Sequence, residues 1–112
     1  MIKVGDVVAL KSNKCKMTVD SIYIDNNQSN VGVADKENVE CCWWNGSSFQ
    51  FKEFAPFTLD GIEDCPNETF KIGDTVTLKS GSPIYTIVEI EGCEVSLEGN
   101  SNTFNSWLFK KV

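Results

Sequence analysis

The most reactive side chains in this chain of 112 residues are five cysteines, Cys15, Cys41, Cys42, Cys65 and Cys93. Two of them adjoin in Glu40-Cys41-Cys42-Trp43-Trp44-Asn45-Gly46. A cysteine nucleophile acts as its thiolate, which a neighbouring base or a helix N-terminus must favour. The chain has no histidine to serve as that base. It also lacks the Cys-x-x-Cys pairs from which zinc sites are usually built. An odd number of cysteines does not read as a disulfide framework. The five are therefore expected to be reduced, half-buried small hydrophobes. Asp6 and Asp74 each follow a glycine and should fix a turn through the nearby backbone. They stand in different halves of the chain, so they do not form an acid pair for catalysis. The sequence predicts no catalytic residue, metal or cofactor, and it is not read as an enzyme.

Residues suited to binding are more evident. Neighbours on a strand point to opposite faces. If Cys41 and Trp43 face a core, Cys42 and Trp44 face outward or into an adjoining unit. Trp44 then either seals two halves of the molecule together or anchors a ligand surface. Lys11, Lys14 and Lys16 crowd one turn, and Lys79 echoes Lys11. A solvated turn accounts for them as well as a nucleic-acid face would. Arginine is absent and the net charge is −6, which weakens any phosphate-driven affinity. The excess acid is local: residues 60–69, Asp-Gly-Ile-Glu-Asp-Cys-Pro-Asn-Glu-Thr, hold four acids and no base. That stretch reads as a solvated connector.

The elements that must position these residues are written twice. Lys3-Val-Gly-Asp-Val-Val-Ala-Leu-Lys-Ser12 returns as Lys71-Ile-Gly-Asp-Thr-Val-Thr-Leu-Lys-Ser80. Without gaps, residues 2–22 lie over 70–90, and an internal repeat of this kind decides the domain plan. In each copy a Gly-Asp turn precedes alternating apolar residues, Val8 and Leu10 or Val76 and Leu78. A second strand follows, over Met17 and Val19 or Tyr85 and Ile87. The second copy then turns tightly through Glu91-Gly92. The first inserts extra residues between about 23 and 38 before Val39-Glu40-Cys41-Cys42-Trp43. Asn45-Gly46 and Gly99-Asn100 suit hairpin turns. Phe54–Leu59 and Phe104–Phe109 suit a helical turn that plugs the end of a barrel. No segment sustains a helical period over three turns.

The stretches Lys3–Val19, Val39–Gly46 and Phe54–Leu59 resemble the YodC-like proteins, small bacterial and phage-associated proteins of unknown function. The match runs through Gly5–Val19, then Val39, Cys41 and Trp43, then Phe54 to Leu59, with Ala55 intervening before Pro56. The second copy keeps the start, with Ser80-Gly81-Ser82-Pro83, and loses the middle, where Val95 and Leu97 stand in place of Cys and Trp. The resemblance implies a small β-barrel and brings no catalytic residues.

The sequence thus predicts an all-β protein of two tandem small SH3-like barrels, each with a short helical turn near its C-terminal end. Residues 1–59 form the first, with an insertion at 23–38. Residues 60–69 form the linker, and 70–112 the second, shorter barrel. The expected function is a non-enzymatic protein-interaction or adaptor module of bacterial or phage origin. Its surface would gather Trp44, Tyr23 and the insertion, Tyr85 and Trp107, with Lys11 and Lys79 beside them. The expected partner is a protein, or further copies of the chain. A nucleic-acid-binding pair of barrels and a protein that sequesters a small ligand such as a nucleotide are the rival readings. No apolar run reaches the ~20 residues of a membrane span, and the N-terminus lacks the apolar stretch of a leader, so the cytoplasm is the expected location.

Overall fold

The structure, a computed structural model, describes residues 2–25, 36–63 and 67–112. It is all-β, with two antiparallel sheets of five strands each. The first holds β1 (Val7–Leu10), β2 (Lys16–Asp25), β3 (Lys36–Trp44), β4 (Phe49–Phe54) and β5 (Leu59–Glu63), in the order β4-β3-β2-β1-β5. The second holds β6 (Thr75–Leu78), β7 (Tyr85–Glu91), β8 (Glu94–Leu97), β9 (Thr103–Asn105) and β10 (Phe109–Lys111), in the order β10-β6-β7-β8-β9. Neither hydrogen-bonded order closes on itself. A 3-10 turn precedes the last strand of each sheet, at Pro56–Thr58 and Ser106–Leu108.

The two sheets share one pattern of hydrogen bonds. Val7 pairs with Thr18, and sixty-eight positions on Thr75 pairs with Thr86. Gly5 N–H donates to the Val19 carbonyl at 2.9 Å, and Gly73 N–H to that of Ile87 at 2.8 Å. The Asp6 and Asp74 carboxylates accept from the Lys3 and Lys71 N–H groups at 3.0 and 2.9 Å, which is the turn-fixing role that Gly-Asp suggests. Both second strands bulge at the same place, between Val19 and Ser21 and between Ile87 and Glu89. Leu10 pairs with Leu59 where Leu78 pairs with Phe109. The Lys11 and Lys79 N–H groups each donate to the last residue of the 3-10 turn, Thr58 and Leu108, at 3.0 and 2.9 Å.

This register corrects one correspondence read from the sequence. Val19 pairs with Cys41 and Ile87 with Leu97, so Leu97 takes the place of Cys41 and Val95 that of Val39. Trp43 then corresponds to Gly99, not to Leu97. The connector also starts later than its charge suggests: Asp60–Glu63 is part of β5, paired to β1. The insertion lengthens the β2–β3 hairpin, with Tyr23 opposite Asn38 and Asp25 opposite Lys36. Residues 26–35 of the insertion and 64–66 of the linker, Cys65 among them, lie outside the described residues.

Each sheet curls around its own core. Val8, Met17, Val19, Val39, Cys41 and Leu59 come from one face of the first sheet and pack together, joined by half-buried Trp43 and Phe54. Val76, Leu78, Ile87, Val95, Leu97, Phe104, Leu108 and Phe109 do so in the second sheet, but that core also takes in Cys42 and Phe49 from the first. The middle of the first sheet is therefore covered on both faces. That explains why Val7-Val8-Ala9 and Cys41-Cys42 are buried without alternation, a pattern that two covered faces impose.

Candidate functional site

The seam between the sheets gathers most of the aromatic residues singled out above. Trp44 and Phe49 pair at the end of the β3–β4 hairpin, where Asn45 Oδ1 ties the turn by accepting from the Ser47 and Ser48 N–H groups at 2.9 Å each. Tyr85 lies 6.2 Å from the Trp44 ring and 5.6 Å from the Phe49 ring. Phe49 reaches Phe104 at 4.9 Å and Phe109 at 6.2 Å. In the first core Trp43 packs on Phe54 at 6.3 Å. Phe104 corresponds to Phe54, and the β8–β9 connection offers only Gly99 where Trp43 would be. Phe49 thus gives the second core the ring that the second sheet lacks. Trp44 and Tyr85, both half-buried, belong to this seal.

A polar set extends the seam. Trp107 Nε1–H donates to the Asp20 carbonyl at 2.8 Å, and Asn105 Nδ2–H to Asp20 Oδ1 at 3.0 Å. Asp20 is at the β2 bulge, where an extra residue leaves the ladder and turns its backbone outward. Thr18 Oγ1–H donates to Ser80 Oγ at 2.8 Å and accepts from Ser80 N–H at 2.9 Å. Lys79 is buried, and its Nζ lies 3.4 Å from Asn67 Oδ1. The buried side chain corrects the expectation of two equivalent solvated lysines: Lys11 is exposed, Lys79 is not. Their sequences match, but only the second docks on a neighbouring sheet. The two therefore form no common basic face.

Cys15, Cys41 and Cys42 fit the reading as buried or half-buried hydrophobes, and exposed Cys93 does not. Cys41 and Cys42 are fully buried. Burial foremost, with the Glu40 and Asp20 carboxylates adding, pushes the Cys41 thiol up to about 12. Burial and the Asp20 carboxylate push Cys42 up as well. Both thiols are held protonated, the opposite of what a nucleophile needs. Cys15 is half-buried and Cys93 exposed, both as free thiols. Among the described residues no group of three His, Cys, Asp or Glu side chains could hold a metal ion.

Tyr23 is the one predicted aromatic that stays largely in solvent, at 47% exposure. Its β3 partner Asn38 lines a groove of about 550 Å³ with Glu37, Ala55, Pro56 and Phe57. A groove of about 210 Å³ occupies the corresponding place in the second sheet, lined by Phe70, Ile90, Cys93, Val95 and Ser106 among others. Cys93 corresponds to Glu37 by the strand register, and Ser106 to Pro56 by the 3-10 turns. Sequence reasoning missed Asp20, Asn105 and Phe57. Their signal was the places where the two copies disagree: Asp20 against Val88, Asn105 against Ala55, Trp107 against Phe57.

No helix among the described residues is long and apolar enough to cross a membrane. The model of a family of uncharacterized small proteins, DUF2158, matches residues 3–59. No curated protein and no solved structure matches the chain.

Proposed function

The chain belongs to that family of small proteins, and on this footing we propose that it is a non-enzymatic interaction module with two grooves for extended segments of a partner protein. One observation carries the reading: in each sheet a groove lies beside the hairpin of the second and third strands and the 3-10 turn, and the two linings share the Glu37/Cys93 and Pro56/Ser106 positions. Two linked sites raise apparent affinity by roughly a hundredfold or more when both engage. The lining of the first groove favours side chains of a peptide over a small polar ligand. Among the described residues Asn38 and Glu37 are the only polar ones of the first groove, and specific small-molecule sites need several convergent polar groups.

The finer architecture belongs to the same proposal. Each curled sheet with its 3-10 turn is an SH3-like barrel, and the pair arose by tandem duplication of a YodC-like unit of bacterial or phage origin, working in the cytoplasm. The identical registers sixty-eight positions apart support this. SH3-like barrels commonly dock extended peptides beside an aromatic, and Phe57 walls the first groove here.

Peptides selected from a random library on the purified protein test the function. A selected peptide should shift the backbone amide resonances of Glu37, Asn38 and Phe57 and those of Cys93 and Ser106. Asn38→Arg should weaken its binding at least tenfold by placing a long charged chain in the first groove. Shifts confined to other surfaces, or unchanged binding to Asn38→Arg, would overturn the reading.

A further inference from the structure

The polar residues of the seam between the sheets and Trp107 each have a counterpart at the same register position in the other sheet. The seam joins a face of the first sheet, carrying Thr18 and Asp20, to the 3-10 turn end of the second, carrying Ser80, Asn105 and Trp107. The counterparts of the first set are Thr86 and Val88, on β7. Those of the second are Ser12, Ala55 and Phe57, at the 3-10 turn end of the first sheet. Among these counterparts Ser12, Val88 and Phe57 are exposed, while Thr86 and Ala55 are half-buried. Asp20 is 7% exposed and Val88 48%; Phe57 is 69% exposed and Trp107 only half-buried. Gly5 would meet Lys79 Nζ within 3.0 Å of an added Cβ, whereas Gly73 faces open space.

The counterparts also match one another chemically. Thr and Ser are kept unchanged, so Thr86 and Ser12 can repeat the bond of Thr18 to Ser80. The polar pair Asp20 and Asn105 becomes the apolar pair Val88 and Ala55, and Trp107 becomes Phe57. A residue that only faced water would be expected to become more polar in the open copy. Here Asp is replaced by Val, at a bulge whose counterpart tolerates a carboxylate.

From this the geometry points to head-to-tail self-association, in which the β7 face of one chain receives the first 3-10 turn of the next and continues the internal seam between molecules. The occupant is a second copy of this chain, because the two open faces are complementary to each other and continuous with an interface that the chain already makes. Such a contact is heterologous: each molecule keeps one free face of each kind, so the assembly grows as a chain or closes as a ring. It lacks the Phe49 contribution, since β8 ends at Leu97 and the second sheet has no counterpart of the long β3–β4 hairpin. The contact is therefore weaker than the internal seam. With a net charge of −6 on each chain, raising the salt concentration screens repulsion and strengthens it.

Sedimentation velocity over a wide concentration range tests this. The wild type should grow in size with concentration. Phe57→Ser and Val88→Asp should each weaken association at least tenfold, and their equimolar mixture should form a dimer and nothing larger, since it pairs one intact face of each kind. Val88→Asp leaves both grooves untouched, so its failure to associate is separable from loss of peptide binding. Adding Ala55→Asn and Phe57→Trp to Val88→Asp recreates the internal contact set and should restore association. A wild type monomeric at millimolar concentration, a single variant that assembles like wild type, or a mixture without dimers would each overturn the inference.

Discussion

Glu40 lies on β3 between Ser21 of β2 and Glu53 of β4, with the Asp20 carboxylate beside it. Burial, then the contact with Asp20 and the charges of Asp20 and Glu53, raises its pKa, and a hydrogen bond with Tyr23 only partly opposes them. A raised carboxyl pKa means that the folded chain holds this proton more tightly than the unfolded chain. The site therefore adds stability as pH falls toward the carboxylate range and withdraws it as pH rises through the folded pKa. Glu40→Gln should raise the thermal midpoint by a few degrees near neutral pH. The advantage over wild type should shrink on approach to about pH 4, where unfolded glutamates also protonate. A gap between the two proteins that is constant with pH would refute the electrostatic account. None of this could be read from the sequence, because Asp20 reaches Glu40 only through the bulge, and a bulge leaves no mark on the alternation of Met17 and Val19.

At the level of elements, the Gly-Asp turn was legible and its asymmetry was not. Gly5 and Gly73 both adopt positive φ, at 86° and 97°, so both positions call for glycine. Only Gly5 lies against the neighbouring sheet, where an added Cβ would come within 3.2 Å of the Trp107 backbone carbonyl. Gly73→Ala should cost about 1–2 kcal/mol of backbone strain. Gly5→Ala should cost clearly more, because the seam must also shift; equal losses in chemical denaturation would show that the seam is slack there. The strands, the hairpin turns and the two faces of Cys41 and Cys42 followed from alternation and turn residues. What did not follow was the partner of each outer face, because a strand sequence shows which side chains share a face and not what covers it. Trp44 is the clearest case. Its alternation with Trp43 set its side, but not the contact with Tyr85 and Phe49 that half-buries it.

Over the whole molecule, the two sheets are unequal partners despite their matching registers. The first core contains its own Trp43, while the second relies on Phe49 from the other sheet. Phe49→Ala should destabilise the protein by about 3 kcal/mol, near the low end for a large aromatic because the ring is half-buried. The loss should fall on the second sheet, seen as faster amide exchange at Ile87, Val95 and Leu97 with little change at Val19 and Val39. Uniform acceleration would mean that the sheets unfold as one unit. The same dependence sets an order in time. A chain made from its N-terminus presents the self-sufficient half first. By the time Phe104 and Phe109 leave the ribosome, the Phe49 hairpin is already available as a surface on which they can condense. Exchanging the order of the two halves would ask the dependent sheet to wait, with its core open, for a ring not yet synthesised.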